Sequence, residues 1–407
     1  MIYDNDYFFN KYENLLLLVI ATIKMQILTF NFRLYTISGL WRPIEWSSKS
    51  SKLLYSVFTI TTIYLLTYFS VTHLLYIIFV IDNVEEFAST SPFFFSTISL
   101  LFKASTAVIY RNQIINLIEI LQNKPCKAEN KDELDIQMKY DRAIRTYSMR
   151  FVLLCSFSMT GAFVAGLLDV LKGQLPYNMW VPWECTSLFT FLSTSIQEIA
   201  GVTIATVVNV ATETTVLGFS LQVCAQFEIL KHRLQRMMEN SNEKMSPKNS
   251  LNNGSHKINK LATHIFHHVC IIRLAEKFNN VYSQVIFIQF FVSVLVLCSI
   301  VYHLSSHLTV VDVSTWVVFT VSMFIQIFIY CWSGNQVIIK SSELGEAVYH
   351  MNWMSMTLNE RKDLMMIMKR SSKPIKFTSS FLVTLSLESY TNLLRATFSA
   401  FNVLQQF

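Results

Sequence analysis

Residues 278–339 read FNNVYSQVIFIQFFVSVLVLCSIVYHLSSHLTVVDVSTWVVFTVSMFIQIFIYCWSGNQVII, sixty-two positions with one formal charge, Asp312. A helix needs about twenty residues to cross the hydrocarbon layer of a bilayer, so the run is long enough for two spans. One falls within 278–311 and the other within 313–339, turning back at Asp312. Outward from this hairpin, five more segments have the same character. Leu53 to Val80 has no formal charge and is interrupted only by His73. Pro92 to Tyr110 opens on a proline, which the first turn of a helix tolerates. Phe151 to Gly166 with its flanks, Phe189 to Phe219 and Phe377 to Phe407 complete a set of seven. At 52% hydrophobic and 15% charged residues, with a mean hydropathy of +0.38, the 407 residues are too apolar for a soluble domain. The expected fold class is an all-α membrane protein with seven transmembrane helices.

The polar stretches carry the orientation. Of 33 Lys and Arg residues, six precede Leu53, eight lie from Arg111 to Arg150, nine from Lys231 to Lys277 and seven from Lys340 to Lys376. The alternate loops hold Lys172 alone, against Asp82, Glu85, Glu86, Asp169, Glu184 and Asp312. Basic loops are retained in the cytoplasm during insertion, so the N-terminus is expected inside and the C-terminus outside. Because the basic residues are dispersed over several loops, the net charge of +6 marks orientation and not a nucleic-acid surface.

The chain divides accordingly. Residues 1–52 form a cytoplasmic N-terminal segment, in which Leu15 to Thr22 is expected to lie as a short amphipathic helix at the inner leaflet; no cleavage site follows it. Residues 53–220 hold spans one to four, the candidate ligand-binding bundle, and 281–339 hold spans five and six. Between them, 221–280 reads as cytoplasmic helices around an Asn/Ser-rich break near 239–257, expected to be disordered for lack of apolar residues to bury. Asn253-Gly254-Ser255 has glycosylation spacing but falls on the cytoplasmic side. Residues 340–376 form further cytoplasmic helix, and 377–407 the last span.

No catalytic constellation is present: there is no Gly-rich phosphate loop, no G-x-S-x-G and no Cys-x-x-Cys. An enzyme is not expected, and no cofactor is implied. Seven cysteines are scattered, and with Cys185 alone in an exterior loop no disulfide framework is implied. His264, His267 and His268 share a helix face near Cys270, but a metal site needs a fourth ligand and a closed shell, so an amphipathic helix without metal is expected.

Ionisable groups inside spans are costly in lipid and normally face protein or water. Lys103 and Glu198 are expected on different helices at comparable depth, as a structural ion pair or with a direct role toward ligand or ion. Arg395, halfway along the last span, is expected to meet a carbonyl or acid of a neighbouring helix. Aromatic and small residues cluster in the outer halves of spans two, three, four and six. Phe94, Phe95, Ile98 and Phe102, with Ser158, Gly161 and Ala165, Val202 and Thr206, and Phe319, Thr320 and Met323, form a candidate lining for a mostly apolar pocket with a few hydroxyls, although ordinary helix packing places such residues too. In the last span Ser399, Val403, Gln406 and Phe407 share a face. Repeated around an axis they would ring a pore that gates by dewetting; a lipid-facing helix has the same periodicity.

Two stretches carry a resemblance. Leu175-Pro176-Tyr177-Asn178-Met179-Trp180-Val181-Pro182-Trp183-Glu184 is similar to a signature of the loop after the third span in insect odorant receptors. From Cys331 to the C-terminus, Gly334, Asn335, Ser342, Tyr349, Trp353, Arg370, Pro374 and Ser399 stand where that family's C-terminal signature has them. The resemblance implies an odorant-gated, non-selective cation channel in the plasma membrane of a sensory neuron dendrite. It implies a tetramer with one pore, each subunit contributing its last helix. A cytoplasmic anchor, to which Ser342, Tyr349 and Trp353 belong, holds the subunits together. It further implies as partners a small volatile odorant, permeant cations, membrane lipid and a co-receptor subunit. The co-receptor's second cytoplasmic loop is longer than Gln222 to Asn280, so this chain resembles the tuning subunit of a heterotetramer. Alignment at the C-terminus places Val403 at the family's hydrophobic gate with Gln406 beside it, and Phe407 where an aliphatic residue is usual.

Two alternatives stand. The terminal Gln406-Phe407 is similar to gustatory receptors of the same superfamily, although the Thr-Tyr expected before it is replaced by Ser399-Ala400. A G-protein-coupled receptor would need the opposite orientation, and Asp141-Arg142 precedes the third span instead of following it.

Overall fold

Helix dominates because apolar runs in lipid must satisfy every backbone group within the segment. The computed structural model describes residues 28–404, apart from 44–45, 47, 178, 184–185, 244–249, 306–309, 354–355 and 380–382. The helices are α1 (Thr29–Ile37), α2 (Lys49–Phe79), α3 (Val84–Ile109), α4 (Arg111–Gln122), α5 (Lys131–Leu171), α6 (Leu188–Glu243), α7 (Ser250–Ser305), α8 (Val310–Tyr349) and α9 (Leu358–Ser371). A two-residue antiparallel pair, β1 (Thr378–Ser379) with β2 (Val383–Thr384), precedes α10 (Leu387–Leu404).

Among the described residues, six helices, α2, α3, α5, α6, α7 and α8, are long and apolar enough to cross a membrane. Their outward faces confirm the solvent they are made for: on α5, Leu153 is 64% and Phe157 70% exposed, an apolar surface that only lipid or another subunit covers favourably. The main core lies where α6, α7, α8 and α9 converge beyond the candidate pocket, around Phe219, Phe278, Tyr282, Leu364 and Phe377. There the bidentate pair of Arg233 and Glu133, 2.7 Å at its shorter contact, joins α5 to α6. Arg233 also donates to the carbonyls of Pro125 and Lys127, so one guanidinium fastens the α4–α5 turn as well.

Several boundaries differ from expectation. Pro92 does not open its helix; α3 starts at Val84, where Glu85 and Glu86 occupy the first turn and complement the helix dipole. The interior proline is held by packing against neighbouring helices, as in other spans. The membrane helices α5, α6 and α7 run on without interruption into the polar segments, because adding a residue to an existing helix costs far less than starting one. The same cooperativity narrows the break expected near 239–257: helix reaches Glu243 and resumes at Ser250, while 244–249 lie outside the described residues. The segment Leu15 to Thr22 and Cys185 also lie outside them.

The last span is shorter than its sequence suggests. Residues 377–379 and 383–386 do not extend it; β1 is tied to α7 by Thr378 N–H donating to Asn279 Oδ1 (2.9 Å) and Ser379 Oγ to the Ser283 carbonyl (2.8 Å). Gly334 of α8 lies directly against Leu385, the residue two before α10, which fixes where that helix enters.

Candidate functional site

Lys103 is the polar residue around which the bundle closes. It is 1% exposed, and its Nζ donates to Glu213 Oε1 and to Asn209 Oδ1, each at 2.6 Å. Gln326 Nε2 donates to the same Glu213 oxygen at 2.7 Å. The pair expected with Glu198 is therefore corrected to one with Glu213. Helices α3 and α6 run the same way from the loops at one end, and Lys103 is the twentieth residue of α3 while Glu198 is only the eleventh of α6. Glu198 is buried higher up, beside the main chain of Tyr177.

Above this cluster is a cavity of about 180 Å³. Phe69 of α2, Phe93, Ser96, Thr97, Ser99, Leu100 and Lys103 of α3, and Cys155, Ser158, Met159 and Ala162 of α5 form one side. Val202, Ala205, Thr206 and Asn209 of α6, Gln289 and Val292 of α7, and Phe319, Ser322, Met323 and Gln326 of α8 form the other. Tyr177, from the connection between α5 and α6, closes the top. Its ring lies 5.9 Å from Phe93 and 6.1 Å from Phe69, and Phe93 in turn packs 5.7 Å from Trp316 and 6.3 Å from Phe319. The connection is held down by buried Pro176, which packs on Gly166, and by Trp180 N–H donating to the Thr72 carbonyl. The chamber thus has an aromatic roof, an aliphatic waist and a charged but locally neutral floor.

Of the residues expected to line a pocket, Ser158, Val202, Thr206, Phe319 and Met323 border the cavity. Phe95, Ile98, Phe102, Gly161, Ala165 and Thr320 do not, and neither does Phe94. The error on α3 is one residue of register, about 100° of rotation: 95, 98 and 102 were expected, and 96, 99 and 103 face inward. Phe102 and Ala165 are exposed, and no atom outside its own helix lies within 4 Å of where a Gly161 Cβ would be. Sequence reasoning missed Phe93, Ser96, Asn209, Gln289 and Gln326. For Phe93 and Ser96 the signal was Lys103, since the face carrying a charge within a span is the face turned from lipid.

The remaining candidates are elsewhere. Ser399 is exposed on α10, Val403 belongs to the same helix, and Gln406 and Phe407 lie outside the described residues. Arg395 is also exposed and, contrary to expectation, has no partner among the described residues; α10 turns that face away from the bundle. Ser342 is exposed with its hydroxyl on the Ile338 carbonyl, Tyr349 is exposed, and Trp353 donates to the Tyr349 carbonyl at 2.9 Å. His267 is hydrogen-bonded to Gln226 (3.0 Å) and Arg233 (3.1 Å), and Cys270 lies 3.7 Å from Cys126, so neither points at a common centre with His264 and His268.

Comparison with known proteins places this architecture. A family model described as 7tm odorant receptor matches residues 83–398. Odorant receptor 67a of Drosophila melanogaster is 24% identical over 56% of this chain and only 55% of its own length. Odorant receptor 9a of the same species is 21% identical over 80% of this chain and 83% of its own. The solved structure of the insect olfactory receptor OR5 from Machilis hrabei in complex with eugenol superposes with a TM-score of 0.79 at 14% identity, covering 93% of this chain and 97% of that one.

Proposed function

The chain belongs to the 7tm odorant receptor family, and on that premise we propose that it is the odorant-tuning subunit of a ligand-gated, non-selective cation channel. The observation that carries this reading is the cavity: a mostly apolar chamber of about 180 Å³ inside the membrane bundle, roofed by Phe93, Tyr177 and Phe319. Such a chamber suits a small volatile molecule arriving from water or lipid. A ligand that fits one packing of α3, α5, α6 and α8 better than another shifts the receptor toward that state.

The last helix supports the channel half of the proposal. Glu388, Thr391, Asn392, Arg395, Ser399 and Asn402 recur at three- and four-residue spacing on α10, and all are exposed. A polar stripe at this position in a membrane protein favours a water-filled axis over lipid. We assign that axis to a pore shared with other subunits, including a co-receptor, with Ser399, Val403, Gln406 and Phe407 along it and Ser342, Tyr349 and Trp353 in the subunit anchor. The N-terminus then lies in the cytoplasm and the C-terminus outside.

The test is electrical recording in cells that co-express the chain with an insect odorant co-receptor. Odorants are expected to evoke cation current in the pair. Val202→Trp, which places an indole in the cavity, should abolish the evoked current while the amount of receptor at the surface stays constant. Undiminished current would move the odorant site elsewhere. Separately, Val403→Asn should raise the current that flows without odorant, because a polar ring no longer expels water from the constriction. An unaltered resting current would remove Val403 from the gate.

A further inference from the structure

Most polar groups bordering the cavity can be followed to a partner; the Ser158 and Tyr177 hydroxyls have none among the described residues. Among the hydroxyls, Thr97 donates to the Phe94 carbonyl, Thr206 to that of Val202 and Ser322 to that of Val318, and Ser99 donates to Gln289. These groups keep only acceptor capacity for a ligand. On α3 two donors are left over. Ser96 Oγ is buried with no partner, and Lys103 uses two of its three N–H groups on Glu213 and Asn209. Both residues are on the same face of α3, about two turns apart, and both border the cavity.

From this we infer that the cavity selects neutral ligands with a carbonyl oxygen, namely ketones, aldehydes or esters on a compact apolar body. The oxygen accepts from Lys103 at the floor or from Ser96 midway up, and the apolar body fills the space beneath Phe93 and Phe319. Charge excludes the neighbouring classes. Lys103 and Glu213 already neutralise one another, so a carboxylate would enter a low-dielectric chamber without a counter-ion, beside Glu213. An amine would approach an ammonium and find no anion on the cavity wall, because Glu213, whose Oε2 has no partner among the described residues, does not itself border the cavity and is already neutralised by Lys103. A hydrocarbon would leave both donors buried and unpaired.

This inference rests on the cavity being the odorant site, and the experiment separates the two. Methyl ketones of increasing chain length are each paired with the alkene in which =CH2 replaces the carbonyl oxygen, and with the amine and carboxylate of the same skeleton. Current is recorded from cells co-expressing the co-receptor, and thermal stabilisation of the detergent-purified protein reads binding without gating. Ketones are expected to be about tenfold to a hundredfold more potent than their alkenes, the range for a hydrogen bond to a charged donor. That preference should fall several-fold in Ser96→Ala and collapse in the Lys103→Met/Glu213→Gln double variant, which removes both charges together. Alkenes, amines or carboxylates as potent as ketones, or a preference intact in both variants, would overturn the inference and leave the receptor function standing. Ketones that stabilise the protein yet evoke no current would uphold the ligand class and refute the channel reading. Neither stabilisation nor current from any compound would refute both.

Discussion

Lys103→Met alone should remove most folded receptor from the cell surface. The substitution leaves Glu213, 1% exposed, with Gln326 as its remaining donor and no counter-charge. Removing one partner of a buried pair costs about 3–5 kcal/mol, whereas removing both together is often close to neutral. The protein's total stability is of order 5–15 kcal/mol, so the single change consumes a large share of it. Adding Glu213→Gln should restore the melting temperature of the purified protein most of the way, since glutamine keeps an acceptor for Gln326. A single variant as stable as the wild type, or a double variant no better than the single, would show that the pair is not what holds α3 to α6.

Gly334→Ala should abolish odorant-evoked current through a different route. A Cβ at Gly334 would collide with the Leu385 side chain and lie 2.5 Å from its carbonyl oxygen, and the obstacle is backbone that is itself tied through Leu385 N–H to the Phe377 carbonyl. Overpacking of this kind costs about 1–3 kcal/mol or displaces the element that can move. Here the movable element is the entry to α10, the helix proposed to line the pore. Gly161→Ala is the matched control, because nothing lies within 4 Å of its Cβ position, and it should behave as wild type. Normal gating in Gly334→Ala would show that the α8–Leu385 contact does not set the position of the last helix.

Much of the architecture can be read from hydropathy and charge. The run from 278 to 339 announces its hairpin of spans, and the same argument locates the other four long apolar helices, α2, α3, α5 and α6. Boundaries were less legible. Glu85 and Glu86 look like loop residues by composition, yet they sit in the first turn of α3, where the helix dipole rewards them. The stretch before α10 is apolar enough to read as span, but the β1–β2 pair takes its described residues out of it, with β1 hydrogen-bonded to α7.

The site divides in the same way. The clustering of aromatic and small residues pointed to α3, α5, α6 and α8, and five of the expected residues border the cavity, but Phe69 of α2, Gln289 and Val292 of α7 and Tyr177 complete its wall. Which face of each helix turns inward did not follow, and a single residue of register on α3 separates Phe95 and Phe102, which face away, from Ser96 and Lys103, which border the chamber. Transfer into lipid is nearly additive along a chain, so number, length and approximate place of the spans are properties of local composition. Rotation about a helix axis changes by about 100° per residue and is chosen by partners distant in sequence. Glu213 lies 110 positions from Lys103, and only the packed bundle could select it over Glu198.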